Sequence, residues 1–387
     1  MKRLASIIGI GTSEFSLKAA KSPTALAAQA FRAALDDAGL AKDDVDGISI
    51  HYGSPLGIDY DRFASAMGLD IRYVNQNWLN GRFIGTALQH AALAVNHGLA
   101  SVVACVTSVS FSKSRKLLAG EASRENERTE GGVHGEAPAY GLTFPGGSAA
   151  LCYSRYAHLT GTTPDKLAHV PISARAHAAR NPGAIRREPI SLADYLGSPM
   201  ISAPLRQLDF CLVSDGAVVV LVGSAEMAAD LKQPPVDIVG IQGLRAGRQE
   251  FIFSAGNIGV FQQDAGAHSR HENAEIYRTS GIDRQSINAL YTYDAFSPLV
   301  LYTLERFGFC DFGEAGNFVA DGAIAPGGSL PVNTSGGLLA EAHIGGWTSI
   351  AEIARQIRGS AEATQLENAS VLQWATAWGD SLIFAGR

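Results

Sequence analysis

Two stretches of this chain bring together the side-chain types that proton transfer needs. In NALYTYDAF, Tyr291 and Tyr293 flank Thr292, and alternation along a strand would turn both phenols to one face, with Asp294 following. In PVNTSGGLLAEAHIGGW, Asn333 leads into a Gly-Gly turn, and His343 falls near a predicted helix start. An imidazole with an ordinary pKa of about 6.5 suits a general base at neutral pH, whereas a phenol at about 10 is better placed as a donor. The plain reading of the same residues is two packed core tyrosines and one structural histidine. Asp294 suits three roles: orienting the histidine, binding a substrate hydroxyl or capping a turn. Glu341, two residues before the histidine, reads as a solvated or helix-capping acid.

Composition narrows the field around these residues. The chain has 387 residues with 46% hydrophobic and 18% charged side chains and 42 glycines, which fits a compact α/β enzyme. A formal charge of -6 gives no electrostatic reason to approach nucleic acid or anionic lipid, so neither is expected as a partner. The four cysteines, Cys105, Cys152, Cys211 and Cys310, are widely spaced and form no CxxC pair. No disulfide framework or metal site is expected, and a reducing, cytoplasmic location follows. MKRLASIIGIGTSEF starts like a leader, but its apolar core of about seven residues runs into glycines and reads as a first strand. A membrane span needs about 18 apolar residues in a row, and no such run occurs.

The elements that must position the chemistry are repeated. AGLAKDDVDGISIHY aligns without gaps on SGIDRQSINALYTYD, IIGIG on IVGIQ, and VSDGAVVVLVG resembles TAWGDSLIFAG, all in the same order. Helices such as TALAAQAFRAALDDAG alternate with strands, which predicts βαβ units. The β-branched runs at 102–106 and 218–222 suit strands buried on both faces. Two duplicated halves are expected, at 1–225 and 236–387, in a five-layer arrangement of two stacked sheets. AEMAADLKQPPV links the halves, and 112–147, rich in charge and glycine, reads as an inserted loop region. Its ERTEGGVHGE stretch would be a loop able to cover a pocket, with His134 exposed.

PAYGLTFPGGSAALCYSRYAHLTGTTPDKLAHV and RAHAARNPGAIRREPISLADYLGSPMISAPLRQLDFCLVSDGA closely resemble the core of sterol-carrier-protein-type thiolases and the lipid-transfer-protein aldolases derived from them. The most specific pieces are ARNPGA, the run ending at Asp209, and Ser214-Asp215-Gly216-Ala217, where Asp215 reads as a turn-fixing residue. The resemblance spans nearly the whole chain. It implies the thiolase fold, with two βαβαβαββ halves in a five-layered αβαβα core.

It also implies what is missing. The family's nucleophile motif falls on Gln76-Asn77-Trp78, so an indole stands at or beside the thiolate position. The second cysteine's motif falls in ATAWGDSLIF, which has none, and all four cysteines of the chain read as buried small hydrophobes. Tyr293-Asp294-Ala295-Phe296 resembles the Tyr-Asp-x-Phe of the aldolases, whose tyrosine is catalytic, and His343 takes the place of the family's Gly-His-Pro histidine. Base then falls to His343 and donor to Tyr293, with Asp294, Tyr291, Asn77 and Asn333 as possible supporting groups.

A site with acid-base groups and no nucleophile fits a retro-aldol carbon-carbon lyase acting on a β-hydroxyacyl-CoA, as in degradation of a steroid or similar side chain. CoA would enter only as part of the substrate, with no covalent cofactor and no metal. The alternatives are a non-catalytic thiolase-fold subunit that binds CoA esters or a partner, and an acyltransferase with a displaced nucleophile. The resemblance further implies a homodimer, here placed on a strand at 102–108, and a complex with a small zinc-ribbon and OB-fold (DUF35-type) protein.

Overall fold

The structure, a computed structural model, describes residues 3–54, 56–77, 83–114, 142, 144–244 and 274–387. The chain opens as β1 (Ala5–Thr12), α1 (Pro23–Ala38), β2 (Gly47–His51), α2 (Tyr60–Met67), β3 (Tyr73–Asn77), α3 (Ile84–Asn96) and β4 (Val102–Ser110). Helices α4 (Pro145–Thr160), α5 (Pro164–Arg180) and α6 (Leu192–Gly197) and a small hairpin, β5 (Met200–Ser202) with β6 (Leu205–Arg206), precede β7 (Asp215–Gly223). Then follow β8 (Val236–Gln242), α7 (Glu275–Ser280), β9 (Ala289–Thr292), α8 (Ser297–Arg306), α9 (Ala315–Ala320), α10 (Gly337–Ala340), α11 (Trp347–Ile357), β10 (Val371–Ala375) and β11 (Ser381–Ala385).

Local chemistry accounts for these boundaries. The Ser22 hydroxyl accepts from the Ala25 N–H at 3.3 Å, Pro23 begins α1, and Gly39 ends it with φ 73°. Leu26, Ala27, Ala30, Phe31, Ala34 and Ala38 recur at helical spacing and are buried. A side chain at Gly11 would put its Cβ 2.0 Å from the Ala30 carbonyl, so glycine there is what lets α1 lie directly on β1.

The large sheet runs β3-β2-β4-β7-β1-β8-β11-β10-β9. Val332 bridges Leu290 in parallel on the outer side of β9. Counting that bridge as a third strand, strand order reads third, second, fourth, fifth, first on both sides of the β1–β8 contact. Alternation along β4 sends Val102, Ala104 and Val106 into the core under α1 and α2, and Val103, Cys105 and Val109 into the larger core on the opposite face. On that side α11 packs against β1 and β7 and also against β9 and β10, forming a middle layer between the two parts of the sheet. The stacked α/β layers match the expectation, but the two parts are joined edge to edge. Ala5, Ser6 and Ile7 pair with Ile238, Asp237 and Val236. Asp237 locks this seam, accepting from the Ser6 hydroxyl at 2.5 Å, Arg3 Nε at 2.9 Å and Arg387 Nε at 3.1 Å.

One expectation fails outright. β4 pairs with β7 along its whole length and with β2 on its other side, so its backbone groups are already bonded and it cannot serve as a dimer edge. Its apolar run reports burial on both faces, a property of a central strand. Among the described residues the sheet ends on that side at β3, beyond β2.

Candidate active site

Tyr293 stands one residue past the end of β9, at the carboxyl end of a parallel strand pair where α/β sheets present ligand sites. His343 lies in the turn between α10 and α11. The two meet with Tyr293 Oη 3.4 Å from His343 Nε2. Tyr293 is 7% exposed and packs its ring on Trp378, 6.2 Å between centroids. His343 is half-buried and stacks on Phe111, with centroids 5.0 Å apart and planes 30° from parallel. Burial pushes the imidazole down to about 4, opposed by a hydrogen bond to the Leu212 backbone and helped by nearby His51. At neutral pH the ring is therefore unprotonated and can accept a proton.

The supporting residues divide into those that hold the loops and one that lies apart. Asp294 is buried and accepts from the Leu338 N–H at 2.9 Å, fixing the start of α10, and burial raises its carboxyl to about 6. A Cβ at Gly337 would sit 2.2 Å from Asp294 Oδ2, so the loop closes on the acid only with glycine there. Asn333, at φ 52°, clamps Thr292: its Oδ1 accepts from the Thr292 N–H at 2.9 Å, and its Nδ2 donates to the Thr292 carbonyl at 3.1 Å. Tyr291 does not share the site with Tyr293. Its hydroxyl meets Thr334 Oγ1 at 2.8 Å in a buried cluster with Glu352, because β9 ends at Thr292 and the strand alternation does not extend to Tyr293. Asn77 ends β3 opposite His51, and its Nδ2 has no hydrogen-bond partner among the described residues. Trp78 and His134 lie outside the described residues.

Glu341 takes the C-cap position of α10, its backbone N–H donating to the Gly337 carbonyl, but it is not solvated. It is buried, accepting from Ser335 Oγ at 2.6 Å and from Asn181 Nδ2 at 3.2 Å, which ties the ARNPGA segment to the histidine loop. Burial, reinforced by Glu352 and opposed by the Ser335 hydroxyl, pushes it up to about 7.

Cys211 also departs from expectation, since its Sγ lies 3.6 Å from His343 Nδ1 and it is not a remote packing residue. Burial, with Asp294 adding to it, pushes this thiol up to about 12, so it stays protonated. Phe111, Ser214, Trp378 and the pair His51 and Trp347 were likewise missed. Trp347 Nε1 donates to His51 Nδ1 at 3.0 Å, and His51 contacts Tyr52, whose ring edge meets Phe111. The signals were a β-run ending at Phe111 and a tryptophan in each late glycine-rich motif. Among the described residues no three His, Cys, Asp or Glu side chains converge as metal ligands, and no helix is long and apolar enough to cross a membrane.

Residues 264–382 match the thiolase C-terminal domain-like family. A Mycobacterium tuberculosis protein named 17-hydroxy-3-oxo-4-pregnene-20-carboxyl-CoA lyase is 36% identical over 92% of this chain and 92% of its own. A steroid side-chain-cleaving aldolase of Thermomonospora curvata is also 36% identical, over 92% of this chain and 90% of its own. The chain belongs to the aldolases of the thiolase superfamily. Among solved structures, the Ltp2-ChsH2(DUF35) aldolase superposes with a TM-score of 0.86 at 32% identity, covering 99% of this chain and 97% of that one. A monomeric SCP2-thiolase-like protein of Mycobacterium smegmatis shares the fold at a TM-score of 0.68 and 18% identity, over 100% of this chain and 78% of that one. Membership in the aldolases fits a site where a phenol and an imidazole meet and the thiol beside them is held protonated.

Proposed function

We propose that this chain cleaves a β-hydroxyacyl-CoA by a retro-aldol reaction, with His343 as base and Tyr293 as donor. The observation that carries this reading is the Tyr293 Oη to His343 Nε2 contact at 3.4 Å, formed by an imidazole that burial keeps neutral. The hydroxyl proton of the substrate passes to Nε2, directly or through the phenol. The bond between the α and β carbons breaks, the β carbon becomes a ketone, and the electron pair enters the thioester as an enolate. Donors aimed at the enolate oxygen lower this barrier, and Asn77 Nδ2 is a buried donor with no partner among the described residues. Protonation of the α carbon then releases a shortened acyl-CoA. A thiolysis route needs a thiolate, and Cys211, the thiol beside His343, is held in the wrong protonation state for one. The test is incubation with a β-hydroxyacyl-CoA bearing a tertiary alcohol. Ketone and shortened acyl-CoA should appear in equal amounts without consumption of free CoA; cleavage that requires added CoA would refute the reading.

Two partners complete it. A homodimer through β3 is supported by the position of that strand at the sheet's edge among the described residues and by Val74, which is 46% exposed there. A small zinc-ribbon and OB-fold protein is supported by the DUF35 component named in the similar solved aldolase. Co-expression should yield a complex, and full activity of this chain alone with no complex formed would dismiss the second partner.

A further inference from the structure

Ser214, Asp215 and Gly216 carry the chain into β7, and each touches the surroundings of His343. Ser214 Oγ accepts from the His343 backbone N–H at 2.8 Å. Asp215, paired with Ser110 at the end of β4, is fully buried and accepts from the Ser112 N–H at 2.8 Å, from the Ser112 hydroxyl and from the Ala19 N–H at 2.9 Å. A Cβ at Gly216 would lie 2.6 Å from the Phe15 ring and 3.1 Å from Ile344 Cδ1, so glycine leaves room for the residue that follows His343. Between Ser110 and Ser112 stands Phe111, 1% exposed, stacked on the His343 ring with centroids 5.0 Å apart and meeting Tyr52 near a right angle at 5.3 Å. Phe111 opens a single 3₁₀ turn, Phe111–Ser114, and a turn that short relies on outside contacts to keep its shape.

We propose that Ser214 and Asp215 form a clamp of positioning residues around the base: Ser214 ties down the His343 backbone, and Asp215, through both donors of Ser112, holds Phe111 against the imidazole so that the ring keeps one orientation toward Tyr293. The two contacts govern different freedoms of one residue. Ser214 sets where the His343 backbone runs in the turn between α10 and α11. An imidazole on a fixed backbone still turns about its side-chain bonds, and a flat apolar ring stacked on it removes that freedom and keeps water from that face. The titratable groups facing the imidazole are Tyr293 Oη at 3.4 Å, Cys211 Sγ at 3.6 Å and His51, with Asp294 near Cys211. Tyr293 meets the ring tilted by 59°, whereas Phe111 lies 30° from parallel, so the stacking comes from Phe111. A carboxylate suits the far end of this chain of contacts because it accepts several donors at once. Support of a catalytic side chain from behind is a recurrent device.

The purpose of the clamp rests on the proposed aldol reading, but its grip is measured in the free protein. NMR of the full chain labelled at histidine follows the titration of the ring, and His343→Ala identifies the resonance. In Phe111→Leu and Asp215→Asn, water reaching the imidazole should lift the midpoint from about 4 to about 5 or higher, and kcat on the β-hydroxyacyl-CoA should fall about 10-fold or more with KM little changed. Phe111→Tyr keeps the ring face and should recover most of the loss. Ser112→Ala, which removes only the hydroxyl, should act in the same direction by less and carries the test with Phe111→Leu if Asp215→Asn does not fold. Ser214→Ala should lower kcat about 10-fold. With Asp215→Asn and Phe111→Leu combined, the midpoint should match Phe111→Leu alone, because Asp215 acts through Phe111. A merely structural Asp215 would lower the melting temperature and leave the midpoint at the parent value. That result, additive shifts in the double variant, or parental kcat in Ser214→Ala would overturn the clamp. Midpoints that move as stated in a protein without carbon-carbon cleavage would sink the aldol reading and leave the clamp standing.

Discussion

Tyr293 and His343 are 50 residues apart in the chain, yet phenol and imidazole meet at 3.4 Å, one from the end of a strand and the other from the turn before a helix. Proton transfer by a positioned group is worth about 10² to 10⁴ in rate. Tyr293→Phe and His343→Ala should each lose turnover on that scale with melting temperatures close to the parent. Full activity in either variant would remove it from the mechanism.

The low pKa of His343 separates this site from one built on an ordinary histidine. With the imidazole at about 4, the fraction in base form hardly changes on acidification from neutrality to about pH 5. A profile of kcat/KM against pH should stay level across that range and decline only toward 4. Half-loss at about pH 6.5 would mean that the ring is better solvated than its packing on Phe111 implies.

Glu341 makes stability depend on pH in the opposite sense to a paired surface carboxylate. Its folded value of about 7 lies above the ordinary 4.5, so the folded chain holds a proton that the unfolded chain releases. That contribution is complete below the ordinary value and is lost as pH rises to about 7, a swing on the order of 3 kcal/mol. The destabilisation caused by Glu341→Gln should be largest at about pH 5 and shrink or reverse by about pH 8. Equal losses in melting temperature at both pH values would show that Glu341 is charged throughout.

Cys211 should take no acyl group. After incubation with acetyl-CoA or acetoacetyl-CoA, intact-mass spectrometry is expected to show the unmodified chain, because a thiol at about 12 presents almost no thiolate. A stoichiometric acetyl adduct on any cysteine would bring back the acyltransferase alternative.

Val74 and Asn75 lie on the edge strand β3. Val74→Pro, which removes a backbone donor on the side of β3 facing away from β2, combined with Asn75→Lys to add charge at the edge, should convert a dimer into a monomer by light scattering while leaving the rest of the secondary structure intact. Loss of the dimer on changing the interior strand β4 alone, through unfolding, would not bear on the edge; a dimer that survives the double β3 variant would.

The meeting of Tyr293 and His343 was legible because both residues sit in short motifs whose neighbours, Asp294 and Phe296 or the surrounding glycines, travel with them in sequence. The surroundings of His343 were not legible, since Cys211 and Ser214 reach it from more than a hundred residues away and nothing local marks either one. The run at 102–106 told correctly of burial on both faces, but burial alone does not say whether a strand is central or covered by a second subunit. Tyr291 misled for a simpler reason, as strand alternation holds only while the strand lasts, and β9 stops at Thr292. Glu341 shows the limit for acids: a carboxylate beside apolar residues reads as exposed until its distant partners, Ser335 and Asn181, are placed around it.

The seam between β1 and β8 bears on how such a molecule comes apart. A chain with repeated strand order could behave as two beads on a string, each melting at its own temperature. Here Arg3 and Arg387, almost the two ends of the chain, grip the same buried carboxylate, Asp237, at the weld. Cutting the gene at the middle would leave each fragment with a raw, unpaired strand edge, β1 in one and β8 in the other. Heat should accordingly release both at once, in a single calorimetric peak, and neither fragment should survive alone as a smaller version of the whole.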